Sequence, residues 1–328
     1  MRADLPLWAL ARSHRRIFVG PFTSELGFEV LYWLPYLDYL CQRYRIDPSR
    51  LIVVTRGGAG RWYGAGQSVE LYDYVPPGDV RLLAHQGQRE NASVKQLRMT
   101  AWETRLLALI AERMGVRRYG VLHPSRLYRA FDAFWTTQKE GLAPAFNRLR
   151  FRELAVGPPP VGLALPESFV CVRWYQRVTW PLRDELLDWT RAVVAEIAKT
   201  TPVVVLTSSV YADDHVDFPA PSGENITVVS AEPWKENLAV QASIIKRASA
   251  FVGTWGGMAQ LAVRLKVPTA AFFDRWQGIS YAHRTLTEFL AMQQGTPCFV
   301  GRAMDAEHVR AVLPVAIPVP ELGRGSSS

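Results

Sequence analysis

The sequence has few cysteines, and none of them is spaced for a disulfide framework or a metal site. Cys41, Cys171 and Cys298 stand apart in apolar surroundings, and the chain of 328 residues contains no CxxC pair. Isolated thiols of this kind are typical of a reducing compartment. No apolar run approaches the ~20 residues that a bilayer-spanning helix requires, and residues 1–16 lack the apolar core of a signal peptide. We therefore expect a cytoplasmic protein.

Sequence motifs of several large classes of nucleotide- and nucleic-acid-binding proteins are also missing. The chain contains no GxGxxG fingerprint and no Walker lysine, and it lacks the RNP, KH and helix-turn-helix patterns of nucleic-acid-binding proteins. Its net charge of +8 and pI near 9.5 favour anionic partners. Because the arginines are spread along the chain rather than gathered in a tail, we expect phosphate-bearing small molecules and no nucleic acid.

The first residues raise the question of a membrane partner. The segment 5–16, LPLWALARSHRR, combines leucine and tryptophan with arginine. This composition is compatible with peripheral contact to the anionic inner face of a membrane. The alternative is a chain end that is frayed or docked on the protein itself.

Strand-like and helix-like patterns alternate in two sets, separated by the Pro/Gly-rich stretch 156–168. Such alternation is typical of α/β proteins with parallel sheets. The predicted strands are 16–20, 51–55, 80–86, 119–124, 169–175, 202–209, 226–230, 250–255 and 269–274, and the predicted helices are 28–44, 100–115, 183–200, 237–248 and 257–266.

These two sets predict two Rossmann-like, doubly wound domains that face a central cleft. We place an N-terminal acceptor domain at 1–157, a linker at 158–167, a C-terminal donor domain at 168–318 and a flexible tail at 319–328. Ligands of such sheets bind outside the carboxyl ends of the strands, so the cleft is where we expect the site.

A glycine corner follows a buried strand in the second half. In AFVGTWGGMAQ the strand ends at Thr254 and Trp255, and a helix begins after Gly256 and Gly257. Glycines let backbone N–H groups approach a ligand closely, and a helix amino terminus favours phosphate. We therefore assign this turn, together with Gln260 in the following helix, to nucleotide binding. The alternative is a tight turn that needs glycine for packing.

Two carboxylates open the first helix. In GPFTSELGFEVLYWLPYL, Glu25 and Glu29 lie among glycines and aromatic residues directly after the first strand. A general base must reach its substrate hydroxyl and have its pKa moved toward working pH, which aromatic surroundings achieve by desolvation. The alternative is that a carboxylate in the first turn simply stabilises the helix.

Basic and aromatic residues after other strands complete the predicted site. Arg173 and Arg177 follow a strand of the second half and could pair with a diphosphate without a metal, or they could be solvated. Lys235 opens a helix nearby. The loop TRGGAGRWYGAG at 55–66 offers Arg56, Trp62 and Tyr63 as acceptor-binding residues, although a surface loop without a ligand is the alternative.

An acidic cluster at 211–218 was considered as a metal site. It contains Asp213, Asp214, His215 and Asp217, but their spacing matches neither an EF-hand nor a standard zinc site. We interpret it as a polar loop and predict no metal.

Several segments resemble those of GT-B glycosyltransferases, in particular heptosyltransferase-like enzymes of bacterial surface-polysaccharide biosynthesis. They are GPFTSELGFEVLYWLP, VTRGGAGRWY, VRWYQRVTWP, VVVLTSSVYADDH, NLAVQASIIKRASAFVGTWGGMAQLA and LKVPTAAFF. The resemblance implies the GT-B fold and a nucleotide-diphosphate sugar as co-substrate, with no other cofactor.

The same resemblance suggests roles for two glutamates. Glu29 stands six residues before Pro35, where the family's aspartate base stands relative to its proline. Here Phe28 separates Gly27 from Glu29 and the residue is glutamate, so Glu25 remains a competing base. Glu236 lies where a family glutamate binds the donor ribose, although helix capping would explain it equally well.

The function that follows is a glycosyltransferase in glycan or natural-product biosynthesis. It would be metal-independent and inverting, and it would act on a hydroxyl of a glycan, a lipid-linked molecule or a small molecule. A nucleotide-sugar 2-epimerase of the same fold is one alternative, and a non-catalytic nucleotide- or glycan-binding protein is another.

Overall fold

Two parallel sheets organise the chain. In the computed structural model, residues 5–76, 78–79, 96–136, 142–208, 216–230 and 234–303 are described. The first sheet has the strand order β3-β2-β1-β4. Its strands are β1 Arg16–Val19, β2 Leu51–Thr55, β3 Gln67–Glu70 and β4 Tyr119–Leu122. The fully buried β2, with the sequence LIVVT, has the continuous apolar pattern of a parallel strand covered on both faces.

The second sheet has the strand order of a Rossmann fold. Its strands are β5 Val170–Arg173, β6 Val203–Thr207, β7 Ile226–Ser230, β8 Ala250–Thr254, β9 Thr269–Phe273 and β10 Cys298–Arg302. They lie in the order β10-β9-β8-β5-β6-β7, so the direction of winding reverses between β5 and β8. A crevice at such a reversal is the usual ligand site of an open parallel sheet.

Helices flank the two sheets. They are α1 Leu5–Arg12, α2 Leu26–Phe28, α3 Leu34–Tyr44, α4 Ala101–Arg113, α5 Ser125–Thr136, α6 Leu142–Phe146, α7 Asp184–Ala198, α8 Asn237–Arg247, α9 Gly257–Arg264 and α10 Tyr281–Gln293. A capping box between Thr100 and Glu103 fixes the start of α4. None of the described helices is long and apolar enough to cross a membrane.

The predicted α/β class with two Rossmann-like sheets is confirmed, but several elements were not predicted. The missed elements are α1, β3, α5, α6, α10 and β10. Strand β3 is a half-exposed edge strand and has the polar sequence QSVE. It therefore lacks the apolar run by which a strand is recognised in a sequence. The predicted strand 80–86 and the tail 319–328 lie outside the described residues, and the domain boundaries stay predictions.

A turn of π-helix at Glu29–Trp33 joins α2 to α3 and packs against α9 of the second half. Arg264, at the end of α9, is 2% exposed. Its Nε donates to the carbonyl of Val30 at 3.1 Å, and its Nη2 donates to the carbonyl of Arg152 at 3.0 Å. Burial lowers the pKa of Arg264 to about 10. One guanidinium therefore binds two carbonyls of the first half from a helix of the second.

An aromatic cluster forms a second contact between the halves. The Tyr32 hydroxyl lies 2.7 Å from His283 Nδ1 on α10. The ring of Phe28 meets the same imidazole edge-on, with centroids 4.6 Å apart, and Trp135 of α5 packs against Tyr32. Such edge-to-face pairs add to the energy of burial, so α10 is held against the first half.

We predict that Arg264→Met lowers the free energy of unfolding by about 2–4 kcal/mol, because it removes charge-assisted hydrogen bonds and leaves two buried carbonyls without their donor. Urea unfolding measures the change. The control is Arg247→Met, which alters an exposed arginine on α8 and should change stability by less than about 0.5 kcal/mol. Equal effects of the two substitutions would contradict the prediction.

Candidate active site

The predicted glycine corner lies at the carboxyl edge of the second sheet, where β5 and β8 are neighbours. Beyond the strands, Thr254 Oγ1 accepts a hydrogen bond from the backbone N–H of Tyr175 at 3.1 Å. This bond joins the two strand extensions and brings residues 174–177 against the start of α9. The corner is therefore at the winding reversal, where a ligand crevice is expected.

Gly256 is covered by side chains that follow β5. A Cβ at Gly256 would overlap the Tyr175 hydroxyl and lie 2.5 Å from Arg177 Nη1, so only glycine allows this approach. Gly256 is also the N-cap residue of α9 and, being glycine, offers this helix no capping side chain of its own. The first-turn N–H groups of a helix carry partial positive charge and bind anions.

Arg177 brings a full positive charge to the same corner. Its Nη1 donates to the carbonyl of Trp255 at 2.9 Å, and a two-way backbone pairing with Trp180 holds its own main chain. Its Nε is buried and has no hydrogen-bond partner in the described part of the chain. A buried guanidinium N–H without an acceptor is costly. This atom is shielded from solvent, so a phosphate oxygen would reach it only after the side chains over Gly256 move.

Four of the residues predicted to bind the nucleotide support the corner instead. Thr254, Trp255 and Gln260 are buried. A Cβ at Gly257 would lie 2.9 Å from the Cβ of Leu26. The side chains of Thr254, Trp255 and Gln260 therefore pack inside the corner, and their assignment to the donor stays a prediction. Gly257 has the packing role that the sequence left open as the alternative, and its N–H belongs to the first turn of α9.

Glu25 lies across from the corner, on the first half. It is the half-buried N-cap residue of α2, and its carbonyl accepts from the N–H of Phe28 and of Glu29. The next residue, Leu26, touches Gly257, which places Glu25 beside the start of α9. The structure thus brings one predicted base close to the predicted anion site.

Glu29 does not fit the role of a general base. Its side chain is 0% exposed, it pairs with Arg56 Nη1 at 3.1 Å, and it accepts a 2.5 Å hydrogen bond from the Tyr63 hydroxyl. Burial, followed by the charge of Glu29, raises the pKa of Tyr63 well above its usual value. An acceptor hydroxyl has no access to this carboxylate, so the sequence-based choice of Glu29 as base is corrected.

Arg56, Trp62 and Tyr63 are not an acceptor surface, because all three side chains are buried. Besides Glu29, Arg56 binds the carbonyl of Phe22 at 2.9 Å and that of Ser24 at 2.7 Å. The guanidinium therefore fixes the segment 20–25 that ends in the candidate base. The predicted acceptor role of these residues is wrong, and their actual role is to position the loop after β1.

The loop after β2 also contacts the second half. The Glu70 carboxylate accepts from the N–H groups of Gly57 and Gly58 at 3.0 and 2.9 Å, and burial raises its pKa to about 7. Both glycines have positive φ angles, 63° and 78°, which present successive N–H groups to one anion. The Gly57 carbonyl accepts from Ala239 N–H of α8 at 2.9 Å.

The remaining predicted donor residues, Arg173, Lys235 and Glu236, differ in their contacts, and their donor-binding roles stay predictions. Arg173 pairs with Asp217 at 3.1 Å and also binds Gln241. The exposed Lys235 pairs with Asp73 of the first half at 2.5 Å. Glu236 is exposed and is the N-cap residue of α8, without a side-chain capping bond to a described residue.

The acidic cluster at 211–218 is described only in part. Asp213, Asp214 and His215 lie outside the described residues. Asp217 binds Arg173 and accepts from the N–H of Ser208. Elsewhere in the described ranges, no group of three His, Cys, Asp or Glu side chains is arranged to hold a metal ion.

The sequence reading missed Tyr175, whose hydroxyl covers Gly256. The sequence feature that points to Tyr175 is its position in RWYQR, between Arg173 and Arg177. In an extended segment, residues 173, 175 and 177 share one side, so a role for both arginines implied one for the tyrosine between them.

Comparison with solved structures extends this description. A glycosyl transferase family 9 protein from Veillonella parvula DSM 2008 matches with a TM-score of 0.51 and 11% identity, covering 93% of this chain and 98% of that one. It matches over both Rossmann-like sheets. This chain has the GT-B fold. The predicted fold class is confirmed. Scans against protein-family models and curated proteins find no match.

Two further solved structures are similar in part. E. coli heptosyltransferase WaaC with ADP matches with a TM-score of 0.49 and 14% identity, covering 92% of this chain and 99% of WaaC. The iron-containing dodecameric glycosyltransferase TibC from enterotoxigenic E. coli H10407 matches 79% of this GT-B chain with a TM-score of 0.43 and 14% identity. The chain spans 58% of the length of TibC.

We predict that Glu29→Gln lowers the free energy of unfolding by about 3–5 kcal/mol, since it removes the buried carboxylate that pairs with the charge of Arg56. Urea unfolding measures the loss. The matched control is Glu153→Gln, which alters an exposed ion pair with Lys246 and should cost at most about 1 kcal/mol. A Glu29→Gln protein that keeps full stability would show that this ion pair does not have the structural role assigned here.

Proposed function

We propose that this GT-B protein transfers a sugar from a nucleotide-diphosphate donor to a hydroxyl group of an acceptor. The observation that carries the proposal is the meeting of an anion-binding corner and a carboxylate at the contact of the two halves. The corner consists of Gly256, the first turn of α9 and the guanidinium of Arg177. Glu25 lies beside it on the other half, directly before Leu26, which contacts Gly257.

The donor diphosphate would occupy the corner at Gly256. First-turn N–H groups of α9 would bind its oxygens, and Arg177 would neutralise the charge that develops as the nucleotide leaves. The Tyr175 hydroxyl lies within reach of the same phosphates. Arg173 and Glu236 would flank the nucleotide, with Glu236 toward the ribose. In this proposal the arginines do the work that a divalent cation does in other enzymes.

Glu25 would act as the general base. It would take the proton of the acceptor hydroxyl while that oxygen forms a bond to the anomeric carbon. The bond from this carbon to the diphosphate oxygen would break with its electron pair, and the nucleoside diphosphate would leave. Direct attack from the face opposite the leaving group inverts the anomeric centre.

The acceptor would be a hydroxyl of a glycan, a lipid-linked molecule or a small molecule in glycan or natural-product biosynthesis. A cytoplasmic location would supply the nucleotide sugar, and peripheral contact with the inner membrane face would bring lipid-linked acceptors within range. No further cofactor takes part in the proposed reaction.

We expect Glu25→Gln to reduce sugar transfer by about 10²–10⁴-fold, because the amide keeps the shape of the side chain but accepts no proton. Nucleoside-diphosphate binding, measured by thermal shift, should be retained. Product analysis with a panel of nucleotide sugars gives the rate. A fully active variant would exclude Glu25 as the base. Donor consumption without an acceptor would indicate an epimerase, and binding without turnover would indicate a non-catalytic protein.

We expect Arg177→Met to weaken nucleoside-diphosphate binding by about tenfold or more, since it removes a charge-assisted contact to phosphate. Titration calorimetry of the whole protein measures the change. The control, Arg275→Met, alters an arginine whose side chain is 52% exposed and should leave binding unchanged. Equal affinity of the Arg177 variant and the wild type would place the diphosphate elsewhere.

A further inference from the structure

A basic surface covers the amino edge of the first sheet, at the opposite end of its strands from the candidate site. Arg16 opens β1 and lies beside Tyr119 of β4, so Arg117 and Arg118 are its neighbours on this edge. On the other side, Ile17 pairs with Leu51 and places Arg50 next to β1. The exposed members of this surface, the basic edge, are Arg12, His14, Arg15, Arg16, Arg43, Arg45, Arg113, Arg117 and Arg118.

The basic edge has little compensating negative charge. Its three segments are 5–16, 43–50 and 112–118, and they contain nine arginines. The only acidic residues in these segments are Asp47 and Glu112, and the Asp47 carboxylate already accepts from Ser49 N–H. A surface of one sign over neighbouring strands attracts an extended array of the opposite charge.

Helix α1 adds apolar side chains to this edge. Leu5 and Trp8 are 62% and 48% exposed, and the guanidinium of Arg12 lies over the Trp8 ring at 3.4 Å. The half-buried Arg50 donates to the carbonyls of Leu10 and Ala11 at 3.0 and 2.8 Å. The helix is therefore attached to the edge, and its exposed leucine and tryptophan lie among the arginines.

We infer that the basic edge is a docking surface for an anionic lipid bilayer. Arginines attract the headgroups, and exposed leucine and tryptophan enter the boundary between headgroups and acyl chains. A nucleic acid would use the arginines but gives an exposed leucine no apolar phase to enter. The exposed leucine and tryptophan therefore favour an anionic bilayer over a nucleic acid as the partner of the basic edge.

Helix dipoles alone do not explain this surface. Arg12, Arg43 and Arg113 lie in the last turns of helices, where cations are stabilised. Arg45 is the C-cap residue of α3, and Arg16 donates to the carbonyl of Ser49 and to Gln67. Arg15, Arg117 and Arg118 lie outside helices, and the inference rests chiefly on them.

The test is sedimentation of the full chain with vesicles. It needs no sugar donor, so a failure to bind would overturn the membrane contact and leave the proposed sugar transfer untouched. We expect binding to phosphatidylcholine vesicles that contain phosphatidylglycerol and little binding to phosphatidylcholine alone. Added salt should weaken binding. The double variant R117E/R118E should bind these vesicles with an affinity reduced by about tenfold or more. Trp8→Ser should also reduce the affinity.

The matched control is R105E/R247E, which reverses two exposed arginines outside the basic edge. Each double variant changes the net charge from +8 to +4, and thermal unfolding checks that each is folded. Control and test variants that lose binding equally would overturn the inference, as would a wild-type protein that binds neither vesicle. Tighter binding to duplex DNA that Trp8→Ser leaves unchanged would assign the basic edge to nucleic acid.

Discussion

The close approach of α2 to α9 determines the geometry of the candidate site. Gly27 lies against Gln260, and Gly257 lies against Leu26, so each half presents a glycine to the other. A methyl group at Gly257 would press on the backbone of Gly27 and the Cβ of Leu26 and so separate the two helices, whereas one at Gly27 would displace the Gln260 side chain. Because Glu25 immediately precedes α2 and Gly256 immediately precedes α9, the same contact sets the position of the carboxylate relative to the anion-binding corner. The halves therefore cannot part without separating the groups that the proposed reaction needs together.

The buried ion pair behind this contact explains why a carboxylate is kept where no substrate reaches it. Arg56 binds Glu29 and also two carbonyls of the segment after β1. A buried charge is expensive unless it is paired and fully hydrogen-bonded, so Glu29 is needed for Arg56 to be there at all. Through Arg56, the carboxylate of Glu29 controls the path of the loop that leads to Glu25.

The sequence predicted the alternation of strands and helices because buried parallel strands such as LIVVT and VVVLT are continuous apolar runs rich in β-branched residues. It also indicated both ends of the candidate site, Glu25 and the corner at Gly256. It did not separate the functional residues from the supporting ones. Glu29, Arg56 and Tyr63 are the residue types of an active site, and only the tertiary structure reveals that they satisfy one another at zero exposure of Glu29. Likewise, Gly257 has the glycine signature of phosphate binding, and only the structure reveals that helix packing also requires a glycine there.

The positions of the basic edge and the candidate site constrain the acceptor. They lie at opposite ends of β1, whose four residues alone span ~13 Å, and the loop after β1 adds to this separation. A protein docked on a bilayer through its basic edge would hold Glu25 away from the headgroups. A hydroxyl on the first sugar of a lipid would then lie farther from Glu25 than a hydroxyl on a glycan that extends from its lipid. Among the proposed acceptors, this arrangement favours a glycan that extends from its lipid, or a small soluble molecule.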